Sequence, residues 1–113
     1  MQRHWSADAI DWQERGDDGT KYAVLHGDRR TPDAAFAYAF FIPAGFWDPP
    51  HWHGRTAHVF VARGALQLGY GTTRDVARLA RHTAGSMLIV PAEARHFDGA
   101  DEDTVIFGVA TGP

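Results

Sequence analysis

Glycine and proline interrupt this chain at short intervals, which limits what it can fold into. The sequence has 12 glycines and 6 prolines in 113 residues. The segments between them run about five to ten residues, the length of a β-strand rather than of a typical helix. Several segments alternate apolar and polar residues or are rich in aromatic and β-branched side chains. The pattern predicts an all-β fold, and short strands with frequent turns suit a sandwich or small barrel.

The pattern predicts a series of strands and leaves the secondary structure of two segments undecided. Ser6–Glu14 fits either a short strand or a single helical turn. Arg74–His82 carries apolar residues at helix-like spacing, so periodicity alone permits a short helix there as well as a strand. The predicted strands are Tyr22–His26, Phe36–Ile42, His51–His53, His58–Arg63, Leu66–Tyr70, Val76–Arg81, Met87–Pro91, His96–Asp98 and Thr104–Val109.

The chain length predicts one domain over residues 1–113. The charges and the apolar stretches limit the kinds of partner that the protein can bind. The formal net charge of -3 comes from interspersed charges, so the basic surface of a nucleic-acid binder is missing. The longest apolar stretch, near Ala34–Ala44, is too short to cross a bilayer, and the N-terminal residues lack an apolar signal region. We therefore expect a cytoplasmic protein without a membrane partner.

The absence of cysteine limits the chemistry further. It excludes disulfides, thiolate nucleophiles and every cysteine-containing zinc site. Any metal ion must therefore be held by histidine, aspartate or glutamate.

Three histidines carry the clearest chemical signal. His51 and His53 stand at i and i+2, so on a strand both imidazoles lie on one face and can converge on one point. The two prolines just before them form a rigid extended lead-in that cannot be helical. A third imidazole, from His96 on another predicted strand, completes a three-nitrogen face. Such a face predicts one divalent transition metal ion, Fe, Zn, Ni, Mn or Cu, with positions open for water or a small-molecule substrate.

These residues resemble the two motifs of the cupin superfamily, and the resemblance covers nearly the whole chain. The first motif, G-x5-H-x-H-x3/4-E-x6-G, is matched at Gly45, His51, His53 and Gly64, with Ala57 at the glutamate position. The second motif, G-x5-P-x-G-x2-H-x3-N, is matched at Gly85, Pro91 and His96, whereas Glu93 and Ala100 replace its inner glycine and its asparagine.

The resemblance is to small one-domain, RmlC-like bacterial cupins, and it implies a fold and a site. The implied fold is a double-stranded β-helix, a barrel of two packed antiparallel sheets with the metal inside its mouth, usually as a homodimer. It places Arg74–His82 on a strand and puts the three histidines at metal-ligand positions. The usual glutamate ligand is lost at Ala57. Three-histidine centres occur in the superfamily, notably in iron dioxygenases of thiols, diketones and gentisate-like aromatics.

Other candidate site residues follow from strand parity and from their neighbours. His58 becomes a possible fourth nitrogen ligand if the preceding loop shifts by one residue, whereas the glycine spacing favours Ala57 inward. Arg95 and Asp98 flank His96 and are candidates for orienting a polar substrate or the imidazole. With His58 they form the set of catalytic candidates. The candidates for a substrate pocket are aromatic, namely Trp47, Trp52, Phe60, Phe97, Tyr38 and Phe40.

Two functions remain open at this point. The first is a metalloenzyme in which a three-histidine centre activates a small organic substrate. Within it, oxidation of the dioxygenase type is slightly favoured over Lewis-acid isomerisation or cyclisation, by analogy with the three-histidine cupins. The alternative is a non-catalytic module that binds a small molecule or a metal ion.

Overall fold

The computed structural model describes residues 2–113, which form ten strands and one short 3-10 helix, η1. The elements in chain order are β1 (Glu14–Arg15), β2 (Lys21–His26), β3 (Ala35–Ile42), β4 (Trp47–His51), β5 (Ala57–Arg63), β6 (Ala65–Tyr70), η1 (Val76–Arg78), β7 (Ala80–Thr83), β8 (Met87–Val90), β9 (His96–Gly99) and β10 (Thr104–Thr111). The all-β prediction is confirmed.

The strands form two antiparallel sheets. The larger has six strands in the order β1-β2-β3-β10-β5-β8, and the smaller has four in the order β4-β9-β6-β7. The two sheets pack against each other around a shared core, which confirms the expected double-stranded β-helix. Strands β4 and β9, which carry two of the three histidines, are neighbours at one edge of the smaller sheet.

The core lies between the inner faces of the sheets, and strand alternation selects its members. On β5, Val59 and Val61 are buried while His58 and Phe60 are exposed. The same alternation on β8 buries every second residue. The resulting apolar cluster contains Ile42, Val59, Val61, Leu66, Leu68, Leu88, Val90, Ala100 and Ile106.

The structure corrects the expectations for three segments. The predicted strand His51–His53 is wrong in extent, because β4 ends at His51 and the chain leaves the sheet before His53. Arg74–His82 is partly strand: η1 comes first, capped by the Asp75 carboxylate, which accepts a hydrogen bond from the Ala77 N–H, and β7 follows. Ser6–Glu14 is mostly irregular, and β1 begins only at its last residue. The other seven predicted strands lie within two residues of the observed bounds.

Within residues 2–113, no helix is long and apolar enough to cross a membrane.

Candidate metal centre

A bulge in β4 sets the position of the first histidine. Asp48 is the Cα partner of Asp98 on β9, and His51 is the partner of His96, so three steps along β4 match two along β9. The extra residue falls at the two prolines, which lack the N–H that a regular ladder requires and are tolerated on an edge strand. Without it, strict alternation from Asp48 would turn His51 away from the cavity. The bulge lets both residues face inward.

The three histidines converge as the sequence predicts. Their ring centroids are 4.2 Å apart for His51 and His96, 5.1 Å for His51 and His53, and 5.2 Å for His53 and His96. One nitrogen from each ring lies within 4.8 Å of the others, so together they could hold one metal ion. His96 is buried, His51 is half-buried and His53 is exposed, which places the cluster at the mouth of the barrel.

Main-chain carbonyls orient two of the imidazoles. Nδ1 of His51 donates a hydrogen bond to the Pro49 carbonyl at 2.7 Å, and Nδ1 of His96 donates to the Ala94 carbonyl at 2.9 Å. In the neutral ring this leaves Nε2 with a free lone pair, the form that binds a metal. A histidine ligand commonly donates its second ring N–H to a carbonyl or carboxylate in this way.

Burial also favours the neutral form of two rings. Loss of hydration lowers the pKa of His53 and of His96 below the usual value, and the nearby imidazole of His51 lowers both further. For His96, the hydrogen bond to Ala94 partly opposes this effect. Near neutral pH both rings are therefore available as lone-pair donors without first losing a proton.

Two carboxyl groups stand beside the histidines. Asp98 lies two residues after His96 on β9, and its Oδ1 is 3.8 Å from Nε2 of His51. Asp48 is its cross-strand partner, and Asp48, His51 and Asp98 form a second group whose ligand atoms lie within 4.8 Å of one another. Burial raises the pKa of Asp98 well above its usual range, and the charge of Asp48 adds to the effect. The pKa of Asp48 is also raised by burial.

The histidines open onto a cavity of about 280 Å³ between the two sheets. Ala57 lines this cavity, so the position where the resemblance places glutamate does face inward, with only a methyl group. Of the six predicted pocket residues, Tyr38 and Phe40 line it. The remaining wall is formed by Tyr22, Asp48, Val59, Leu66, Leu68, Val90, Asp98 and Ile106.

The other four aromatic candidates lie away from this cavity. Phe97 is fully buried on the opposite face of β9, where its ring packs over Gly69. The Trp47 ring packs over Gly99, with the Arg74 guanidinium 4.2 Å from its centroid. Trp52 is exposed and does not line the cavity, and Phe60 lies on the outer face of the larger sheet.

Two of the three catalytic candidates also lie outside the histidine cavity. His58 is exposed and lines a separate cavity on the outer face of the larger sheet, so the structure does not place it as a fourth ligand. On β5 the side chain of His58 points to the same side as that of Phe60, and the side chain of Ala57 points to the opposite side. Arg95 is exposed in the turn before β9 and does not line the histidine cavity. Only Asp98 faces the histidines.

Sequence reasoning missed Asp48 and Tyr22. Asp48 stands three residues before His51, a spacing that puts two side chains on opposite faces of a regular strand. The available signal was Pro49-Pro50, since two prolines within a strand indicate an edge and a bulge. Tyr22 lies on the predicted strand Tyr22–His26, but the sequence does not show which face of that strand is turned to the cavity. In the structure its ring stacks on that of Tyr38, at a centroid distance of 5.6 Å, and both rings line the cavity.

The residues present fit a transition metal ion. The donor set consists of imidazole nitrogens, two of them with fixed orientation, and the adjacent Oδ1 of Asp98 is buried without a hydrogen-bond partner among the described residues. Nitrogen-rich sets of this kind suit Zn, Fe, Ni, Cu or Mn rather than calcium.

No protein-family model and no curated protein matches the chain. Solved structures do match it. An RmlC-like cupin from Shewanella frigidimarina is 16% identical, with a TM-score of 0.72 over 99% of this chain and 93% of that one. An RmlC-like cupin from Desulfovibrio desulfuricans is 17% identical, with a TM-score of 0.71 over 98% and 96%. KdgF from a Halomonas species is 20% identical, with a TM-score of 0.71 over 95% and 92%.

These matches and the two-sheet architecture show that the chain has the cupin fold, with three histidines that could form a metal site. At these identities the matches show the fold alone, and the chemistry must be argued from the site.

Proposed function

We propose that this cupin is a metal-dependent enzyme, in which His51, His53 and His96 hold one divalent transition metal ion and a small organic substrate binds beside it. The observation that carries the proposal is the convergence of three imidazole nitrogens, within 4.8 Å of one another, on a cavity of about 280 Å³. Fe, Zn, Ni, Mn and Cu are the candidate ions, because each accepts imidazole ligands.

The side chains that line the cavity favour a small substrate that is partly apolar. Aliphatic side chains of Val59, Leu66 and Leu68 line one part, and the phenol rings of Tyr22 and Tyr38 line another. Such walls exclude bulk water, and the two tyrosine hydroxyls can orient a polar substituent. A bound ion supplies either Lewis-acid activation or, as iron, activation of dioxygen. Dioxygenase-type oxidation is favoured over isomerisation or cyclisation, because Ala57 leaves the all-histidine set of the three-histidine oxygenases.

A non-catalytic binding module is the second candidate, and Ala57 also supports it. Loss of the carboxylate at this position lowers the negative charge of the ligand set and weakens retention of a divalent ion. A weakly held ion beside an apolar cavity suits reversible binding of a metal or small molecule. The cytoplasmic location expected from the sequence, and the homodimer implied by the resemblance to cupins, complete the proposal.

Metal analysis of protein purified without added metal tests the proposal. We expect near-stoichiometric metal in the natural chain and loss of it in the triple variant His51→Ala/His53→Ala/His96→Ala. His58→Ala is the matched control, because that histidine lies on the outer face, and it should retain the metal. Equal metal content in the triple variant would overturn the proposed centre.

Dioxygen uptake separates the two functions. The assay uses the iron-loaded protein with a small thiol, a 1,3-diketone and a dihydroxybenzoate as separate substrates. Uptake that depends on substrate and is lost in the triple variant supports the oxygenase. If the natural chain contains zinc or nickel and no substrate causes dioxygen uptake, the result supports Lewis-acid chemistry. Binding of these compounds without turnover supports the binding module.

A further inference from the structure

Asp98 has an unsatisfied oxygen at the candidate metal centre. Its side chain is only 16% exposed, and its Oδ1 is buried without a hydrogen-bond partner among the described residues. A buried polar atom in this condition costs free energy unless a donor or a cation comes to it. The nearest ring nitrogen is Nε2 of His51, at 3.8 Å, which is beyond hydrogen-bond distance.

The geometry shows which kind of partner is missing. Nδ1 of His51 donates to the Pro49 carbonyl, so in the neutral ring Nε2 presents a lone pair. Nε2 and the Asp98 oxygen are then two electron-pair donors facing the same space. Two such donors are both satisfied by a cation between them, as they are in metal sites with mixed nitrogen and oxygen ligands.

No basic side chain of the described residues supplies that cation. The cavity wall contains neither arginine nor lysine. Arg29 and Arg55 line the adjacent cavity, which shares His53 and Ala57 with this one, and each is already paired, with Glu14 and Asp33 respectively.

We infer that Asp98 supplies a carboxylate ligand to the metal ion, from β9 instead of from β5, when its side chain turns from its group with Asp48 and His51 towards the other two histidines. The inference rests on the proposed function, because the three histidines must hold the ion in the first place. Ala57, on β5, offers only a methyl group where the cupin motif has glutamate. The carboxylate from Asp98 returns one negative charge to the ligand set from the other sheet. The centre is then no longer all-histidine, so the dioxygen-uptake assay, and not the methyl group of Ala57, decides between oxygenase and Lewis-acid chemistry.

Metal affinity measured by competition with a chelator tests this inference, with Mn²⁺ and Zn²⁺ as separate probes. Asp98→Asn keeps the size of the side chain and removes its charge. We expect it to weaken binding of both ions by at least 10- to 100-fold, the range seen when a group supporting a metal ligand is removed. Asp101→Asn, an exposed substitution with the same change in net charge, should change affinity less than about threefold because its charge is screened by solvent.

A relocation variant makes the test specific for a ligand. In Ala57→Glu/Asp98→Asn the carboxylate moves to the position that the cupin motif uses, and we expect affinity to return towards that of the natural chain. The electron paramagnetic resonance spectrum of the Cu²⁺-loaded protein should change in Asp98→Asn and not in Asp101→Asn. Circular dichroism of each variant checks that it is folded.

The outcomes separate this inference from the proposed function. If the natural chain binds metal through the three histidines and Asp98→Asn binds it equally well, Asp98 is not a ligand and the proposed centre stands. If Asp48→Asn weakens binding as much as Asp98→Asn, the effect is local negative charge and the inference is overturned. If the natural chain binds no metal, the proposed function fails and this inference fails with it.

Discussion

Each of two histidines at the candidate centre takes its orientation from a carbonyl two residues earlier in the chain. His51 donates to Pro49, and His96 donates to Ala94. Both contacts are local, so the segment that carries the ligand also fixes which nitrogen faces the cavity. A distant substitution in the barrel that leaves these two segments intact should therefore leave the ring orientations intact.

Tyr38 lines the cavity, and the pH at which its phenol ionises measures how far the ring is shielded from water. Burial raises its pKa to about 12, with smaller contributions from Tyr22 and Asp98. Its phenol stays neutral in the folded protein at a pH where the unfolded chain ionises. The stability this provides is complete below pH 10 and is lost as the pH rises from about 10 to about 12.

Tyr38→Phe should remove that pH dependence. Between pH 8 and pH 11 the natural chain should lose about 1.4 kcal/mol of unfolding free energy relative to the variant. Urea denaturation of both proteins at each pH measures the difference. Tyr22 and Tyr70 titrate in both proteins and cancel. Parallel curves for the two proteins would mean that the Tyr38 phenol is solvated.

At the scale of elements, the sequence predicts the strands well and the site only in part. The alternation of Val59 and Val61 with His58 and Phe60 is a property of β5 alone, and the core follows from it. The convergence of His51 and His53 was predicted from a strand, yet β4 ends at His51. Pro49-Pro50 signals a bulge beside Asp48, but the sequence does not give the register that turns Asp48 inward, because that register depends on pairing with β9, a contact between segments about fifty residues apart.

Three glycines inside strands pair with aromatic residues directly across the sheet. Gly108 faces Tyr38, Gly69 faces Phe97 and Gly99 faces Trp47, as Cα partners in their ladders. In each pair the aromatic ring lies over the glycine, in the space that a Cβ would occupy. This arrangement shields a strand glycine and is known to stabilise sheets. It also explains why Phe97 and Trp47, predicted for the pocket, pack against strands instead.

Alanine at any of these three glycines should destabilise the fold. The added Cβ at Gly69 would meet the Phe97 ring at 2.6 Å, and the contacts at Gly99 and Gly108 are closer still. We expect a loss of about 1–3 kcal/mol or more for each, since overpacking displaces a large ring. Gly54→Ala is the matched control, because nothing lies within 4 Å of its Cβ position. Chemical denaturation of metal-free proteins measures the losses, and equal stability of all four variants would contradict the ring placement.

At the scale of the whole molecule, the outer face of the larger sheet carries a cluster of exposed apolar side chains. Cross-strand partners form two rows over β10, β5 and β8. One row contains Phe60 and Met87, which are 42% and 67% exposed, and the other contains Val109 and Ile89, at 48% and 58%. A monomer seldom leaves such a surface beside an open sheet edge, because apolar edges associate.

The homodimer implied by the resemblance to cupins should therefore use this face, with β8 at its centre, since that strand ends the six-stranded sheet. The natural chain should elute at twice the monomer mass in size-exclusion chromatography with light scattering. Met87→Lys/Ile89→Lys should elute as a monomer, because two buried ammonium groups facing their symmetry mates disfavour a two-fold interface. Val76→Lys, at a residue 70% exposed on η1, should stay dimeric. A natural chain that is monomeric would show the dimer prediction to be wrong, and a double variant that stays dimeric would move the interface to another face.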